Sequence, residues 1–335
     1  MSEPIKPVHV VKGRSVRGLG VALCLCLVVA IAMATLLGVR PYSWREIVGD
    51  EQARRIVVDL RMPRVLFAAL VGGALSVIGA AYQALFRNPL ASPFSLGVSS
   101  GAALGAALAI FAGSSAALSV EMSAVVAAGL SIAVILLLSR SRAAMGQDSL
   151  LLVGVVFSFF CSSILTLLQY LSDYSQLFRV SRWMLGGVPS ATWPAVCVGA
   201  FFSVGTLLWL WRHHRSLDLM LFGDDFASVK GVNVRRLSKN VFILTSIVVG
   251  WLVAQCGVIG FVGIVVPAAV RLVVGLHHKR VLPLSFLSGA LLVVLCDLLG
   301  RIAAPPFEVP AGVFSAVLGG PVFVMLLLRT RQQLL

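Results

Sequence analysis

Long apolar stretches separated by short polar gaps make up almost the whole chain. A helix that crosses the hydrocarbon core of a bilayer needs about 20 mainly apolar residues. Ten stretches reach or approach this length, at about residues 19–39, 64–86, 94–113, 119–139, 149–171, 191–211, 238–257, 260–276, 281–302 and 311–328. Only the tripeptide 257–259 separates the seventh stretch from the eighth, which is short enough to be tilted or partly re-entrant. The pattern predicts an all-α membrane protein with about ten transmembrane helices.

Composition agrees with a protein whose solvent is lipid. Charged residues make up 12% of the chain and the mean hydropathy is +0.99, whereas soluble domains carry about 25% charged residues. The net charge of +14 would suggest a nucleic-acid partner in a soluble protein. Here the basic residues fall mainly between the apolar stretches, and no segment interleaves them with aromatic side chains as a nucleic-acid groove does. We therefore expect the lipid bilayer, and no nucleic acid, as a partner.

The distribution of Lys and Arg predicts the orientation. If the N-terminus lies inside and ten spans alternate, 18 of the 27 basic residues fall inside and nine outside. Because cytoplasmic loops carry the excess of basic residues, both termini are predicted to be cytoplasmic. The first stretch follows basic residues, as a signal peptide does, but its apolar run is longer than a usual signal core. We therefore predict a cytoplasmic tail over 1–18 and one polytopic domain over 19–335.

Two predicted loops are long enough to fold outside the bilayer core. The largest inner loop covers about 212–237, and an outer segment covers 41–63. A second outer stretch, about 172–190, is predicted to contain a short interfacial helix anchored by Trp183. Several of the outer arginines cluster just before the second span, which is a local exception to the charge bias.

Residues that could carry catalysis or bind metal are sparse. The chain has no G-x-x-x-x-G-K-[ST] motif, so it is not expected to bind ATP through a P-loop. No G-x-S-x-G or Ser-x-x-Lys arrangement is present either. The six cysteines lie in apolar stretches and are interpreted as small buried hydrophobic residues, and the five histidines fall in the N-terminal tail or the inner loops. We expect no enzymatic activity, no metal site and no cofactor.

Asp297 and Arg301 form the clearest ionisable pair inside an apolar stretch. Their i, i+4 spacing places them on one face of the ninth predicted helix, near its outer end. A local ion pair and a functional role are both open, and the two can coexist. No carboxylate falls at the centre of a span, which counts against a secondary transporter driven by an ion gradient.

Collinear sequence blocks resemble the FecCD family of permeases. They include LRMPRVL at 60–66, GAAYQ at 79–83, FRNPLASP at 86–93, LGVSSGA at 96–102, RWMLGG at 182–187, GFVGIVVP at 260–267 and GGPVF at 319–323. The resemblance covers nearly the whole chain. It implies a type II ABC importer permease with a BtuC-like fold in the bacterial inner membrane, working as a homodimer. It also implies two cytoplasmic ATPase subunits, an external substrate-binding protein that is periplasmic or lipid-anchored, and a ferric siderophore, haem or cobalamin as cargo.

The resemblance assigns a docking role to three outer arginines. Arg61, Arg64 and Arg301 match positions that receive acidic residues of the binding protein in relatives. Complementary charge steers such docking and fixes its register. Anchoring beside lipid head groups is the alternative.

The resemblance also places ATPase coupling in the inner loop. The segment 218–232 is similar to the helix that inserts into a cleft of the ATPase, with Asp218 and the pair Asp224-Asp225 expected at helix starts. Apolar residues around them would form the contact face, and a plain amphipathic loop helix is the alternative. The coupling residues are Leu221, Phe222, Gly223, Asp224, Asp225, Phe226, Ala227 and Gly231.

The inner mouth of the pathway is predicted at two places. In relatives the turn Asn88-Pro89-Leu90 narrows this mouth, although a tight turn alone would explain the proline. Gln147 and Asp148 stand where the family often has small hydroxyl residues at its inner gate. A second departure is Ala268, where the family commonly has His. These departures leave the fold expectation intact and make the gating details differ.

Overall fold

The computed structural model describes residues 13–38, 40–94, 96–113, 119–139, 147–188 and 191–334. Within these described residues, ten apolar helices lie at the ten predicted spans. Among the described residues, seven of them are long and apolar enough to cross a membrane, two shorter ones begin at 98 and 262, and the apolar part of the tenth covers Ala311–Leu326. The ten are α1 (Gly13–Leu36), α4 (Met62–Leu85), α5 (Val98–Ala112), α6 (Val120–Leu138), α7 (Gln147–Leu171), α9 (Trp193–Arg212), α12 (Val234–Cys256), α13 (Val262–Val274), α14 (His278–Ile302) and α15 (Ala311–Leu334).

Short helices fill the segments between the spans. Before α4 lie α2 (Trp44–Gly49), α3 (Glu51–Arg55) and a π-helical segment, Ile56–Arg61, that runs directly into α4. Ser43 and Glu46 form a capping box that starts α2. The predicted outer helix is α8 (Tyr174–Met184), and the inner loop contains α10 (His214–Met220) and α11 (Asp224–Val229). We name the face where α1 ends and α4 begins the outer face, and the opposite one the inner face.

Helix α4 is the buried centre of the bundle. Most of its residues are buried, and it packs between α14, α9 and α13. Glycines make this close packing possible, because a Cβ atom on Gly72 would lie 2.1 Å from the Gly289 carbonyl oxygen and one on Gly79 would lie 1.9 Å from that of Gly263. Small residues that let backbones approach closely are the usual contact of helices in lipid.

Helices α5 and α6 form a second tight pair beside α12 and α7. A Cβ atom on Gly101 would lie 1.8 Å from Ser131 Oγ, and one on Gly105 would lie 2.4 Å from Ala127 Cβ. The Gly101-x-x-x-Gly105 pattern therefore serves packing within the chain.

Helix α13 is the shortest of the ten. Its 13 residues span about 20 Å at 1.5 Å per residue, less than the hydrocarbon core of about 30 Å. It is separated from α12 by a break in which Gly257 and Phe261 both have positive φ, at 66° and 65°. The soft boundary noted in the sequence is thus a real interruption, and the eighth apolar stretch does not cross the bilayer as one straight helix.

Some apolar helix faces have no partner within the described residues. On α7 the exposed side chains include Leu152, Val156 and Phe159, and on α15 they include Val317 and Val324. In a membrane protein such faces meet lipid or a second copy of the chain.

Candidate functional site

Arg61 closes the outer end of α1. Its Nη1 donates to the carbonyl oxygen of Leu36 at 3.1 Å, and its Nη2 donates to that of Arg40 at 2.7 Å. The guanidinium also lies 4.9 Å from the centroid of the Tyr42 ring. The last carbonyls of a helix need such donors, so Arg61 has a structural task in addition to any docking role.

Asp297 lies between two arginines at the outer face. Arg64 donates to its Oδ1 from Nη2 at 2.9 Å and from Nε at 3.1 Å, and Arg301 Nε lies 3.1 Å from its Oδ2. Arg64 also contacts Glu308 Oε2 at 2.9 Å, and Arg301 donates to the carbonyl oxygen of Ala34 at 2.8 Å. The local ion pair expected from the i, i+4 spacing is therefore confirmed.

Burial separates the three arginines assigned to docking. The side chain of Arg301 is 5% exposed and that of Arg64 is 18% exposed. In this conformation Arg301 is buried, because it contacts Asp297 and donates to the carbonyl oxygen of Ala34 near the end of α1. The docking role stays a prediction for Arg61, Arg64 and Arg301, and in this conformation Arg301 also contacts Asp297.

The inner loop presents apolar side chains on α11 and on the turn that precedes it. Phe222, Phe226 and Val229 are 72%, 45% and 85% exposed, while Ala227 is buried and faces the bundle. Asp224 and Asp225 lie in the first turn of α11, where a negative charge is favourable. Gly223 has a φ of +112°, a conformation that a residue with a side chain rarely adopts.

The expected helix-start role of Asp218 is wrong. Asp218 lies within α10, and its Oδ1 accepts hydrogen bonds from the backbone N–H and from Nδ1 of His278, both at 2.7 Å. Burial works to raise the pKa of Asp218, but the hydrogen bonds from His278 outweigh it and lower that pKa. His278 itself is fully buried at the start of α14, so it is not an exposed loop residue.

Hydrogen bonds of three side chains, those of Asn88, Gln83 and Arg271, fix the turn after α4. Asn88 Oδ1 accepts the N–H of Leu90 at 2.9 Å, and Gln83 Nε2 donates to the carbonyl oxygens of Pro89 at 3.0 Å and Ile264 at 3.1 Å. Arg271, on α13, donates to Gln83 Oε1. The predicted gate turn is thus tied to the start of α13.

A charge pair joins the same turn to the coupling segment. Arg87 Nη2 lies 3.8 Å from Asp224 Oδ1, and Arg87 has a φ of +48°. No sequence pattern indicated this contact or the one between Gln83 and Arg271. Gln147 and Asp148 form the first turn of α7, and their side chains lie outside the described residues.

The described residues contain no group of three or more His, Cys, Asp or Glu side chains that could hold a metal ion. All six cysteines are free, and three of them, Cys161, Cys256 and Cys296, are buried as expected. Cys24, Cys26 and Cys197 are exposed. Their helices turn these positions away from the rest of the chain, so the expectation of burial is wrong for them.

Known proteins of similar sequence identify the family of this chain. The model of the FecCD transport family matches residues 23–329. The chain belongs to the FecCD family. It is 38% identical over 283 residues to the hemin transport system permease protein HmuU of Yersinia pestis, covering 83% of this chain and 84% of that protein. It is 36% identical over 300 residues to the Fe(3+) dicitrate transport system permease protein FecD of Escherichia coli (strain K12), covering 88% and 93%.

Two further comparisons agree with this assignment. The vitamin B12 import system permease protein BtuC of Salmonella paratyphi A is 33% identical over 305 residues, covering 89% of this chain and 92% of that protein. A solved metal-chelate-type ABC transporter in an inward-facing conformation superimposes with a TM-score of 0.84 at 29% identity, covering 93% of this chain and 99% of that one. The chain is therefore an ABC importer permease subunit with a BtuC-like fold, and the family expectation is confirmed.

Proposed function

We propose that this permease subunit imports an iron chelate, a ferric siderophore or haem, across the bacterial inner membrane. The observation that supports it best is the family match over 23–329, combined with relatives whose names specify hemin and ferric dicitrate. Cobalamin is the second candidate, since the BtuC relative is similar over a comparable length. The permease itself is not an enzyme in this proposal, because ATP is hydrolysed by two separate cytoplasmic subunits.

The outer face receives a substrate-binding protein, periplasmic or lipid-anchored. Arg61 and Arg64 are the cations that its acidic residues would meet. Arg64 is 18% exposed and already forms a salt bridge with Glu308. Docking therefore replaces the Glu308 carboxylate with a carboxylate of the binding protein. Arg301 acts as a positioning residue that keeps Asp297 against Arg64.

The inner face engages the ATPase through the loop at about 212–237. Exposed apolar side chains are costly in water, and Phe222, Phe226 and Val229 remain 72%, 45% and 85% exposed. The contact of Arg87 with Asp224 gives the ATPase a path from α11 to the gate turn Asn88-Pro89-Leu90. Gln147 and Asp148 at the start of α7 complete the inner gate in this proposal.

Two copies of the chain form the working permease. The unpartnered apolar faces of α7 and α15 provide the surfaces for a homodimer, with both termini in the cytoplasm as the charge bias predicts. The pathway then lies between the copies. ATP binding drives the change from one access state to the other, because a ligand shifts a conformational equilibrium through its different affinity for the two states.

The test is uptake of labelled ferric siderophore, haem and cobalamin by cells with and without the gene. Loss of an iron chelate alone, restored by the wild-type gene, supports the proposal. Loss of cobalamin alone assigns the second candidate. Unchanged uptake of all three, with the partner subunits present, refutes both.

A further inference from the structure

A polar cavity opens at the outer face beside α8. It has a volume of about 470 Å³ and lies between the outer ends of α4, α6, α8, α12 and α15. Sites for small ligands in proteins have volumes of about 300–1,000 Å³ and combine apolar walls with a few polar groups. Here the wall includes Trp183, Val188 and Pro310, and the polar groups include Arg179, Arg182 and Gln255.

The charges around this cavity do not cancel. Arg64 also lines it, but its charge is matched by Asp297 and Glu308, each at 2.9 Å. Arg179 and Arg182 are both exposed, and neither forms a salt bridge with any residue that the structure describes, although Arg179 interacts electrostatically with Asp173. They are three residues apart on one helix, so they project from the same face. Glu121 is the one remaining carboxylate on the wall, which leaves an excess of positive charge.

Gln255 adds a neutral polar group at the opposite wall. It lies in the last turn of α12, is half-buried, and has no hydrogen-bond partner among the described residues. Trp183 is also half-buried and supplies an aromatic surface. Two guanidinium groups without a salt bridge among the described residues, one amide and one aromatic side chain thus line a single cavity.

We propose that this cavity is an entry-side binding site for the carboxylate groups of an anionic metal chelate. A guanidinium group holds a carboxylate through two parallel hydrogen bonds, and Arg179 and Arg182 line the cavity without a salt bridge to any described residue. The site selects against cargo whose periphery carries neutral amides, since such cargo leaves both cations without a partner. This inference rests on the proposed import function and narrows its cargo.

The test measures binding of haem, ferric dicitrate and cobalamin to the permease–ATPase complex in nanodiscs without any binding protein. We expect Arg179→Gln with Arg182→Gln to weaken haem and ferric dicitrate binding at least tenfold and to remove most of its salt dependence. Cobalamin binding should stay unchanged. Arg45→Gln with Arg54→Gln is the matched control, because it removes two exposed outer cations that do not line the cavity, and it should change none of these affinities.

Two results would overturn the site. One is an equal loss for all three ligands, or none for any. The other is a double variant that loses affinity for the binding protein while its ligand binding is unchanged, because the arginines would then form a docking surface. A wrong import function gives a different result. The wild-type complex with its binding protein would then accumulate no iron chelate, independently of how the variants bind ligand.

Discussion

Removal of Asp297 tests whether this carboxylate holds together the outer charge cluster, which consists of Arg64, Asp297, Arg301 and Glu308. The substitution Asp297→Ala leaves Arg301, 5% exposed, and Arg64, 18% exposed, without the carboxylate that lies 2.9–3.1 Å from both. Breaking a buried ion pair by removing one partner costs about 3–5 kcal/mol. Because Arg64 keeps Glu308 and Arg301 keeps the carbonyl oxygen of Ala34, we expect the low end, about 3 kcal/mol, or roughly a hundredfold in the unfolding equilibrium.

Glu308→Gln is the matched control for this measurement. It also removes one carboxylate from Arg64, but Glu308 is 45% exposed, and exposed pairs contribute only about 0.2–1 kcal/mol. The assay is reversible unfolding of the purified permease in mixed micelles with increasing dodecyl sulfate. If Asp297→Ala cost no more than Glu308→Gln, Asp297 would not hold the cluster together and the positioning role of Arg301 would be wrong.

Three further substitutions test other parts of the structure. Gly79→Ala should abolish accumulation of folded permease, because its Cβ would lie 1.9 Å from a backbone oxygen, whereas Gly129→Ala, with open space around it, should be tolerated in the same expression assay. Val229→Asp should leave the permease folded and lower its affinity for the ATPase at least tenfold in a pull-down titration, since the side chain is 85% exposed; unchanged affinity would exclude Val229 from the contact. Asp218 has a lowered pKa, so its stabilisation is present above the unfolded pKa of about 3.9 and is lost as pH falls through the folded value. Asp218→Asn should therefore destabilise at pH 7, and its difference from wild type should shrink below about pH 4 in thermal unfolding; a difference independent of pH would contradict this.

The sequence predicted the ten apolar helices because runs of about 20 apolar residues mark helices that cross a bilayer, although α13 is shorter than its apolar stretch. The short outer helix α8 was also predicted, and so was one helix in the inner loop, where α11 lies, whereas α10 was not predicted. The Asp297–Arg301 pair was predictable because residues four apart lie on one face of a helix.

Contacts between distant segments could not be predicted in this way. Asp218 and His278 are 60 residues apart, and Gln83 and Arg271 are 188 apart. No periodicity within one helix reports which other helix lies beside it. The exposure of Cys24 and Cys197 was missed for a related reason, because a helix that faces lipid and a helix that faces the core are equally apolar.

The most direct test of ATP-driven import is transport by purified components. The permease, its ATPase and its binding protein would be reconstituted in liposomes and supplied with labelled haem or ferric siderophore. If the chain is a subunit of an ATP-driven importer, accumulation requires ATP and the binding protein and persists when an ionophore removes all ion gradients. Accumulation by the permease alone, abolished by the ionophore, would contradict it.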